Sequence, residues 1–222
     1  DNTLTWNKGR MTGYGEYQYE YNSTGQRIRK IVGNKTYKYI YDGQILLKEE
    51  IHDSSTNNKI ILEYVYDQLN TLIGIVNDNN VYYYDRDITG VIKGIVDSNG
   101  IYVVKYTYTS FGEVEKEIDT PNNISDFNSF LYKGYYYDVE TQLFYCNSRY
   151  YSPELCRWIS PDTIEYLDPS SINGLNLYCY CYNNPISYYD PSGHSALLIG
   201  LLIFTGAMTL GGAIYGGVSA GM

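Results

Sequence analysis

The segment "NNPISYYDPSGH", residues 183–194, places the carboxylate of Asp190 in an Asp-Pro turn at a border in composition. Before this segment the chain is rich in tyrosine and in acidic residues, whereas residues 195–222 carry no charged side chain. Asp followed by Pro, with Gly at the fourth position, favours a tight turn. A carboxylate can also serve as a general acid or base. The residues alone leave two interpretations open: a turn that ends a domain, or a point at which the chain is cut.

Other side chains that could do chemistry are few. The four cysteines are Cys146, Cys156, Cys179 and Cys181. A zinc site needs cysteines two to four residues apart, and "CYC" has only one residue between them, so small buried thiols are the favoured interpretation over metal or disulfide. In a strand, Cys179 and Cys181 would share a face. His52 and His194 are too few for a histidine metal centre, and no phosphate-binding loop or serine nucleophile motif is present. The sequence therefore predicts no metal and no cofactor.

The overall composition indicates a β protein. Tyrosine accounts for 29 of 222 residues, against 5 Phe and 2 Trp, and tyrosine favours strands because its ring packs on a pleated surface. The 21 glycines predict many turns. The formal net charge is −9, which argues against binding a phosphate backbone, since that requires clustered Lys and Arg. We therefore expect no nucleic-acid partner for this chain.

A degenerate repeat supplies the elements that must position any site. Tyrosines precede a short polar turn at positions 21, 41, 66, 84 and 108, an interval of roughly 20 residues, which is the length of a hairpin unit. Tyr17, Tyr19 and Tyr21 alternate with polar residues, so they should line one face of a strand. Because one hairpin cannot bury its own apolar face, neighbouring hairpins must pair into a long antiparallel sheet.

These Tyr-Asp repeats resemble the YD repeats of the rearrangement hotspot (Rhs) family. The motifs "RYYSP", "RWISPD", "GLNLY", "NNP" and "DPSG", in that order, resemble the Rhs-repeat-associated core domain. The resemblance implies a mainly β fold in which repeats (1–118) form part of a curled shell. It also implies a linker (119–129), a core domain that closes the shell (130–194), and an apolar, Gly-rich start of a variable toxin region (195–222), helical if it forms regular structure.

The same resemblance implies an aspartyl autoprotease that acts once in cis, just after the DPxG motif. The acids that match are Asp162, in "SPDT", and Asp190. Two facing carboxylates cannot both ionise easily, so one holds a proton while the other activates water. From the residues alone, "SPDT" reads equally as a loop or a helix cap. Arg157, in "CRWISPD", is the expected supporting cation, with a surface strand position as the alternative.

Three positions depart from the family pattern. Family members that are cleaved often have a bulky apolar residue, typically Leu, after DPxG, whereas this chain has His194. The expected cleavage site is therefore His194–Ser195, unless this copy is not processed. The usual "PDP" is "PDT", with Thr163, and a second Asp-Pro turn at Asp168 lies in an extended segment before "GLNLY".

The predicted function is to encapsulate and release a C-terminal effector, in a protein secreted by, or displayed on, a bacterium. The expected partners are the chain's own C-terminal toxin and an immunity protein for that toxin. Residues 195–222 are long enough to span a bilayer as a helix, so a membrane contacted through them is a further expected partner. The alternatives are that this stretch is buried inside the shell, which is favoured equally, or that it is a permanent anchor. The alternative is a non-enzymatic cell-surface or wall-associated YD-repeat protein that binds carbohydrate or other surfaces. The sequence opens on a polar segment without Met, which favours a fragment of a longer protein.

Overall fold

The computed structural model describes residues 3–119, 124–166, 169, 173–194 and 196–198. Twelve strands form one antiparallel sheet in which each strand pairs with the next one along the chain. These strands are β1 (Leu4–Asn7), β2 (Arg10–Tyr14), β3 (Tyr17–Tyr21), β4 (Arg27–Val32), β5 (Lys35–Asp42), β6 (Ile45–Asp53), β7 (Asn58–Tyr66), β8 (Leu72–Asn77), β9 (Asn80–Arg86), β10 (Ile92–Val96), β11 (Tyr102–Tyr108) and β12 (Val114–Asp119). The prediction of a mainly antiparallel β fold is confirmed.

Tyrosine alternation builds one buried face on this sheet. In β3, Tyr19 is buried while Gln18 and Glu20 are exposed, and β5 repeats the pattern around Tyr39. At four repeats, the hydroxyl of the last tyrosine in a strand donates to a carbonyl of the preceding strand at 2.7–2.9 Å. The pairs are Tyr21 to Met11, Tyr41 to Arg27, Tyr66 to Leu46, and Tyr108 to Ile92. Each of these tyrosines packs its ring and ties two strands together, which explains why phenylalanine is rare.

One turn type closes many of the hairpins. Its first residue accepts, through a side-chain oxygen, hydrogen bonds from the backbone N–H groups two and four residues later, at 2.8–3.1 Å. We call this the Asx turn, and its first residues in the large sheet are Asn22, Asp67, Asp87 and Asp97. The side chain substitutes for backbone partners that the turn cannot supply, as expected for Asp and Asn.

The predicted turn after Tyr84 was misplaced. Strand β9 continues to Arg86, and the turn begins at Asp87. Tyr84 is buried, and its hydroxyl donates to Asn128 Oδ1 at 2.8 Å. Arg86 Nη1 donates to the carbonyl of Leu72 at 2.8 Å, the bond that a tyrosine makes in the other repeats. The repeat therefore depends on a donor at this position rather than on tyrosine itself.

The chain then forms a smaller unit that packs on the buried face. It contains α1 (Ile124–Phe127), the sheet β13 (Tyr136–Asp138), β14 (Leu143–Cys146), β15 (Arg149–Ser152) and β16 (Arg157–Trp158), and the strand pair β17 (Tyr188–Tyr189) and β18 (Leu197–Leu198). Aromatic pairs join it to the large sheet, with ring centroids 5.0–5.7 Å apart: Tyr19 with Tyr150, Tyr39 with Tyr136, and Tyr64 with Phe130. Such contacts contribute about 0.5–1.5 kcal/mol each beyond area burial.

A buried ion cluster lies at the same contact. Arg27, only 1% exposed, donates to Asp138 from Nη1 at 2.5 Å and from Nη2 at 3.0 Å. Lys30 Nζ donates to Asp138 Oδ1 at 2.9 Å and also pairs with Glu140. Burial raises the pKa of Asp138, but Arg27 and Lys30 outweigh burial, so that pKa is lowered. The large sheet supplies the cations and the smaller unit the acids.

Two further expectations concern the C-terminal part. The strand in which Cys179 and Cys181 would share a face does not continue through "CYC": Cys181, Tyr182 and Asn183 have φ of 47°, 53° and 60°, a left-handed bend. The four cysteines are free thiols. Of the apolar stretch 195–222 only residues 196–198 are described, so the predicted tail helix falls outside the described residues. Among the residues whose structure is described, none forms a helix of the length and apolarity that crossing a bilayer requires.

Replacing Asp138 tests the ion cluster. We expect Asp138→Asn to lower the free energy of unfolding by about 3–5 kcal/mol, because Arg27 and Lys30 lose a buried counter-charge. Since the folded-state pKa of Asp138 is lowered, its contribution is present above the unfolded-state pKa and is lost as the pH falls through the folded-state value. Urea unfolding at several pH values measures both effects.

The matched control is Glu20→Gln. Glu20 and Arg29 form a cross-strand pair at 2.9 Å whose side chains are 51% and 40% exposed. We expect a change below about 1 kcal/mol for this exposed pair. Equal losses for the two variants would contradict the proposed weight of the buried cluster.

Candidate active site

The first candidate acid, Asp162, lies in the loop that follows β16. Its backbone N–H donates to the carbonyl of Leu177 at 3.0 Å, which fixes the loop against the 173–183 segment. The side chain is 6% exposed. Its Oδ1 accepts the N–H of Thr163 at 2.8 Å. This bond, from Asp162 to the next residue, is the local consequence of the "PDT" sequence.

Arg149, at the start of β15, joins the two candidate acids. Its Nη2 lies 2.7 Å from Asp162 Oδ2 and 3.8 Å from Asp190 Oδ2. The guanidinium carbon stands 4.2 Å from the centre of the Trp158 ring, and Nη1 donates to the carbonyl of Leu177 at 3.1 Å. A planar guanidinium with several fixed donors suits this arrangement. Both carboxylates therefore converge on one nitrogen atom.

Asp190 forms an Asx turn of the kind found in the large sheet. Its Oδ1 accepts the N–H groups of Ser192 at 3.2 Å, Gly193 at 2.9 Å and His194 at 3.1 Å. Its other oxygen, Oδ2, is the one that approaches Arg149. Its backbone carbonyl accepts the hydroxyl of Tyr135 at 2.7 Å. The turn interpretation of "DPSG" is therefore correct, and it still leaves one carboxylate oxygen directed at the site.

Gly193 fits where another residue could not. Its φ is +79°, and a Cβ there would lie 2.5 Å from Ser148 Oγ and 2.6 Å from the carbonyl oxygen of Cys146. The carbonyl of Gly193 accepts a hydrogen bond from Arg149 Nε, and the carbonyl of Ser192 accepts one from Ser148 Oγ at 2.7 Å. The turn is thus fastened along its length to the β14–β15 hairpin.

His194 is the third group of the site. Its Nδ1 is 2.7 Å from Asp162 Oδ1, and its ring stacks on Tyr166 with centroids 5.0 Å apart and an interplanar angle of 7°. A cavity of about 100 Å³ adjoins these residues and is lined also by Arg149, Asp190 and Cys181. The cavity is large enough to hold water beside the two acids.

The titration of neighbouring groups limits the available chemistry. Burial lowers the pKa of Arg149, while Asp162 and Asp190 oppose that shift. Burial, with a smaller contribution from Asp190, raises the pKa of the Cys146 thiol well above its ordinary value. Burial likewise raises the pKa of Cys181 to about 12. Neither thiol is poised as a thiolate nucleophile, so carboxylate chemistry is what the site can offer.

The structure brings together Asp162, Asp190 and His194, which the sequence singled out. It does not place Arg157 with them: Arg157 is exposed, and its guanidinium lies 4.5 Å from the centre of the Tyr178 ring. Arg149, rather than Arg157, is the cation that lies against Asp162 and Asp190. The available signal was its position as the first residue of "RYYSP", which is the first residue of the fully buried strand β15. Ser195 and Asp168 lie outside the described residues.

A long antiparallel meander of tyrosine-aspartate repeats, covered by a smaller aromatic sheet, defines a YD-type β-repeat protein. A family model described as "Teneurin YD-shell" matches residues 10–186, and the chain belongs to that family. The resemblance to YD-repeat proteins is confirmed at this level.

The chain is similar in sequence to two curated relatives and in fold to one solved structure. It is 33% identical over 205 residues to the tRNA nuclease WapA of Bacillus subtilis and 32% identical over 205 residues to the tRNA3(Ser)-specific nuclease WapA of Bacillus spizizenii. Each match covers 89% of this chain and 9% of the relative, so the chain spans about a tenth of their length. The Photorhabdus luminescens Tc holotoxin pore matches with a TM-score of 0.69 and 22% identity over 86% of this chain and 10% of that chain, a likeness of fold.

Comparing two glycines tests how tightly the candidate turn is held. Gly193 and Gly100 both have φ of +79° in Asx turns, but a Cβ on Gly100 would meet open space. We expect Gly100→Ala to lower the free energy of unfolding by about 1 kcal/mol through backbone strain alone. Gly193→Ala should lose clearly more, because the hairpin must also move. Denaturant unfolding of the two variants gives the difference, and equal losses would show that the turn is not clamped as described.

Proposed function

We propose that this chain is part of a toxin shell and that it cuts itself once, between His194 and Ser195. The observation that carries the proposal is the convergence of Asp162 and Asp190 on Arg149, beside the residue that would supply the scissile carbonyl. The likeness to the Tc holotoxin and membership of the YD-shell family support the shell role. The Rhs-core resemblance of residues 130–194 supports the protease role.

The proposed reaction is hydrolysis of one peptide bond. Water adds to the carbonyl carbon of His194, and the bond from that carbon to the Ser195 nitrogen breaks. The water oxygen remains on His194 as part of a new carboxyl group, and a proton ends on the Ser195 amine. One carboxylate of the Asp162/Asp190 pair accepts the proton from water, and the pair returns a proton to the leaving nitrogen. Arg149 offsets the like charges that would otherwise oppose two carboxylates at close range.

The proposal also assigns a role to each segment of the chain and a location to the protein. Residues 1–118 act as shell repeats, 119–129 as a linker and 130–194 as the closing core domain. The segment from Ser195 onward starts the released toxin. Secretion or surface display by a bacterium, an immunity protein, and membrane contact by residues 195–222 complete the proposal.

Mass spectrometry of the expressed chain tests self-cleavage. We expect an N-terminal product that ends at His194. In Asp190→Asn, the amide oxygen can keep the Asx turn while the charge facing Arg149 is lost, so cleavage should slow at least about a hundredfold. Asp162→Asn should have a similar effect, because it removes the carboxylate that is 2.7 Å from Arg149.

The matched control is Asp97→Asn. Asp97 Oδ1 accepts the N–H groups of Asn99 and Ile101, both at 2.9 Å, in an Asx turn of the large sheet. We expect this variant to be cut at the wild-type rate. Equal slowing in Asp97→Asn and Asp190→Asn would assign the effect to folding. A wild-type chain that stays intact would refute self-cleavage and favour the non-enzymatic surface protein, with the shell fold unchanged.

A further inference from the structure

We infer that His194 determines where the chain is cut: Asp162 and Tyr166 form a slot that selects a histidine side chain immediately before the scissile bond. The inference rests on the proposed self-cleavage and adds its specificity. Proteins of the Rhs family that are cleaved typically have an apolar residue at this position, and the inference explains why this chain has His194 instead.

The slot recognises two properties of the imidazole. The edge of the ring contacts Asp162, whose Oδ1 lies 2.7 Å from Nδ1 of His194. Its face is covered by the parallel Tyr166 ring, at an interplanar angle of 7°. The side chain is 30% exposed, so the slot encloses it without sealing it from water. Only a flat side chain with a polar edge next to Cγ satisfies both contacts.

A leucine would not fit this slot equally well. A methyl group would lie where Nδ1 lies, and it would cover Asp162 Oδ1 without donating a hydrogen bond. Asp162 Oδ1 would then keep only the N–H of Thr163, having lost its second partner and the water that could replace it, which is costly for a carboxylate oxygen. Leucine would also lose the stacking on Tyr166. The slot is therefore matched to the residue that this chain carries.

The imidazole contact completes the fixing of the segment before the scissile bond. Asp190 Oδ1 holds the N–H of His194 at 3.1 Å, and Arg149 Nε holds the carbonyl of Gly193. Asp162 then holds the side chain of His194 itself. The three groups that fix the segment are the same three that form the charged centre of the site. These contacts hold the backbone that leads into the scissile bond, and such positioning contributes strongly to rate.

The experiment compares side chains at position 194 during refolding. Each chain is recovered uncut from inclusion bodies in urea and refolded by dilution, and the product that ends at residue 194 is followed by mass spectrometry. We expect His194→Leu to be cut about tenfold more slowly than the wild type, the value of one lost hydrogen bond to a charged group. His194→Asn should recover most of the rate, because Asn Nδ2 is attached to Cγ as Nδ1 is and can donate to Asp162.

Two further variants separate selection from folding. Tyr166→Leu keeps His194 and removes only the stacking partner, so its chain should also be cut several-fold more slowly. His52→Leu changes the chain's other histidine, exposed on β6, and should leave the rate unchanged. If His194→Leu fails to refold, the contrast between Tyr166→Leu and the wild type decides the matter.

The outcomes separate this inference from the proposed function. A wild-type chain cut after residue 194, with His194→Leu cut as fast or faster, would overturn the selection of histidine and leave self-cleavage in place. Slow cutting of His194→Asn together with normal cutting of Tyr166→Leu would overturn it as well. A wild-type chain that is never cut would overturn both. Slow His194→Leu and rapid His194→Asn support the slot.

Discussion

The same hydrogen-bonded turn, the Asx turn, closes hairpins of the large sheet and forms part of the candidate site. One side-chain oxygen accepts two backbone N–H groups, which lets a strand reverse over five residues without losing its partners. In the large sheet the turn at Asp67 is exposed. At Asp190 the same turn is buried, and the second oxygen meets Arg149. The candidate site thus contains an Asx turn of the same type as those in the large sheet, with Arg149 next to it.

Strand β15 connects the shell to that site through its side-chain alternation. Tyr150 faces the large sheet, where its hydroxyl accepts from Arg27 at 3.1 Å and lies 3.0 Å from the hydroxyl of Tyr21. Its neighbour Arg149 must then point to the opposite side, towards Asp162. Register in a strand is all-or-none, since a slip by one residue exchanges the faces. The buried cluster at Arg27 therefore fixes the position of Arg149 as well as the packing of the two units.

Features that depend on neighbouring residues could be predicted from the sequence, whereas features that depend on tertiary packing could not. The strands and the tyrosine faces were predictable because alternation is local, and the turn at Asp190 because Asp, Pro and Gly each favour it. Arg149 could not be chosen over Arg157, since both precede strand residues and only tertiary packing buries one of them. The bend at Cys181 was equally hidden, because three successive left-handed residues have no signal in "CYCYN".

The change in composition after residue 194 coincides with the contacts that Asp190, Arg149 and Asp162 make to residues 193 and 194. The second carboxylate oxygen of Asp190 approaches Arg149, and Arg149 also holds the carbonyl of Gly193. The fold thereby attaches the last residues of the shell to the groups that could cut them. His194 adds its own side chain to the same centre through Asp162. The chain's departure from the typical apolar residue is therefore accompanied by a polar contact, and residues 190–194 share one hydrogen-bonded network with Arg149 and Asp162.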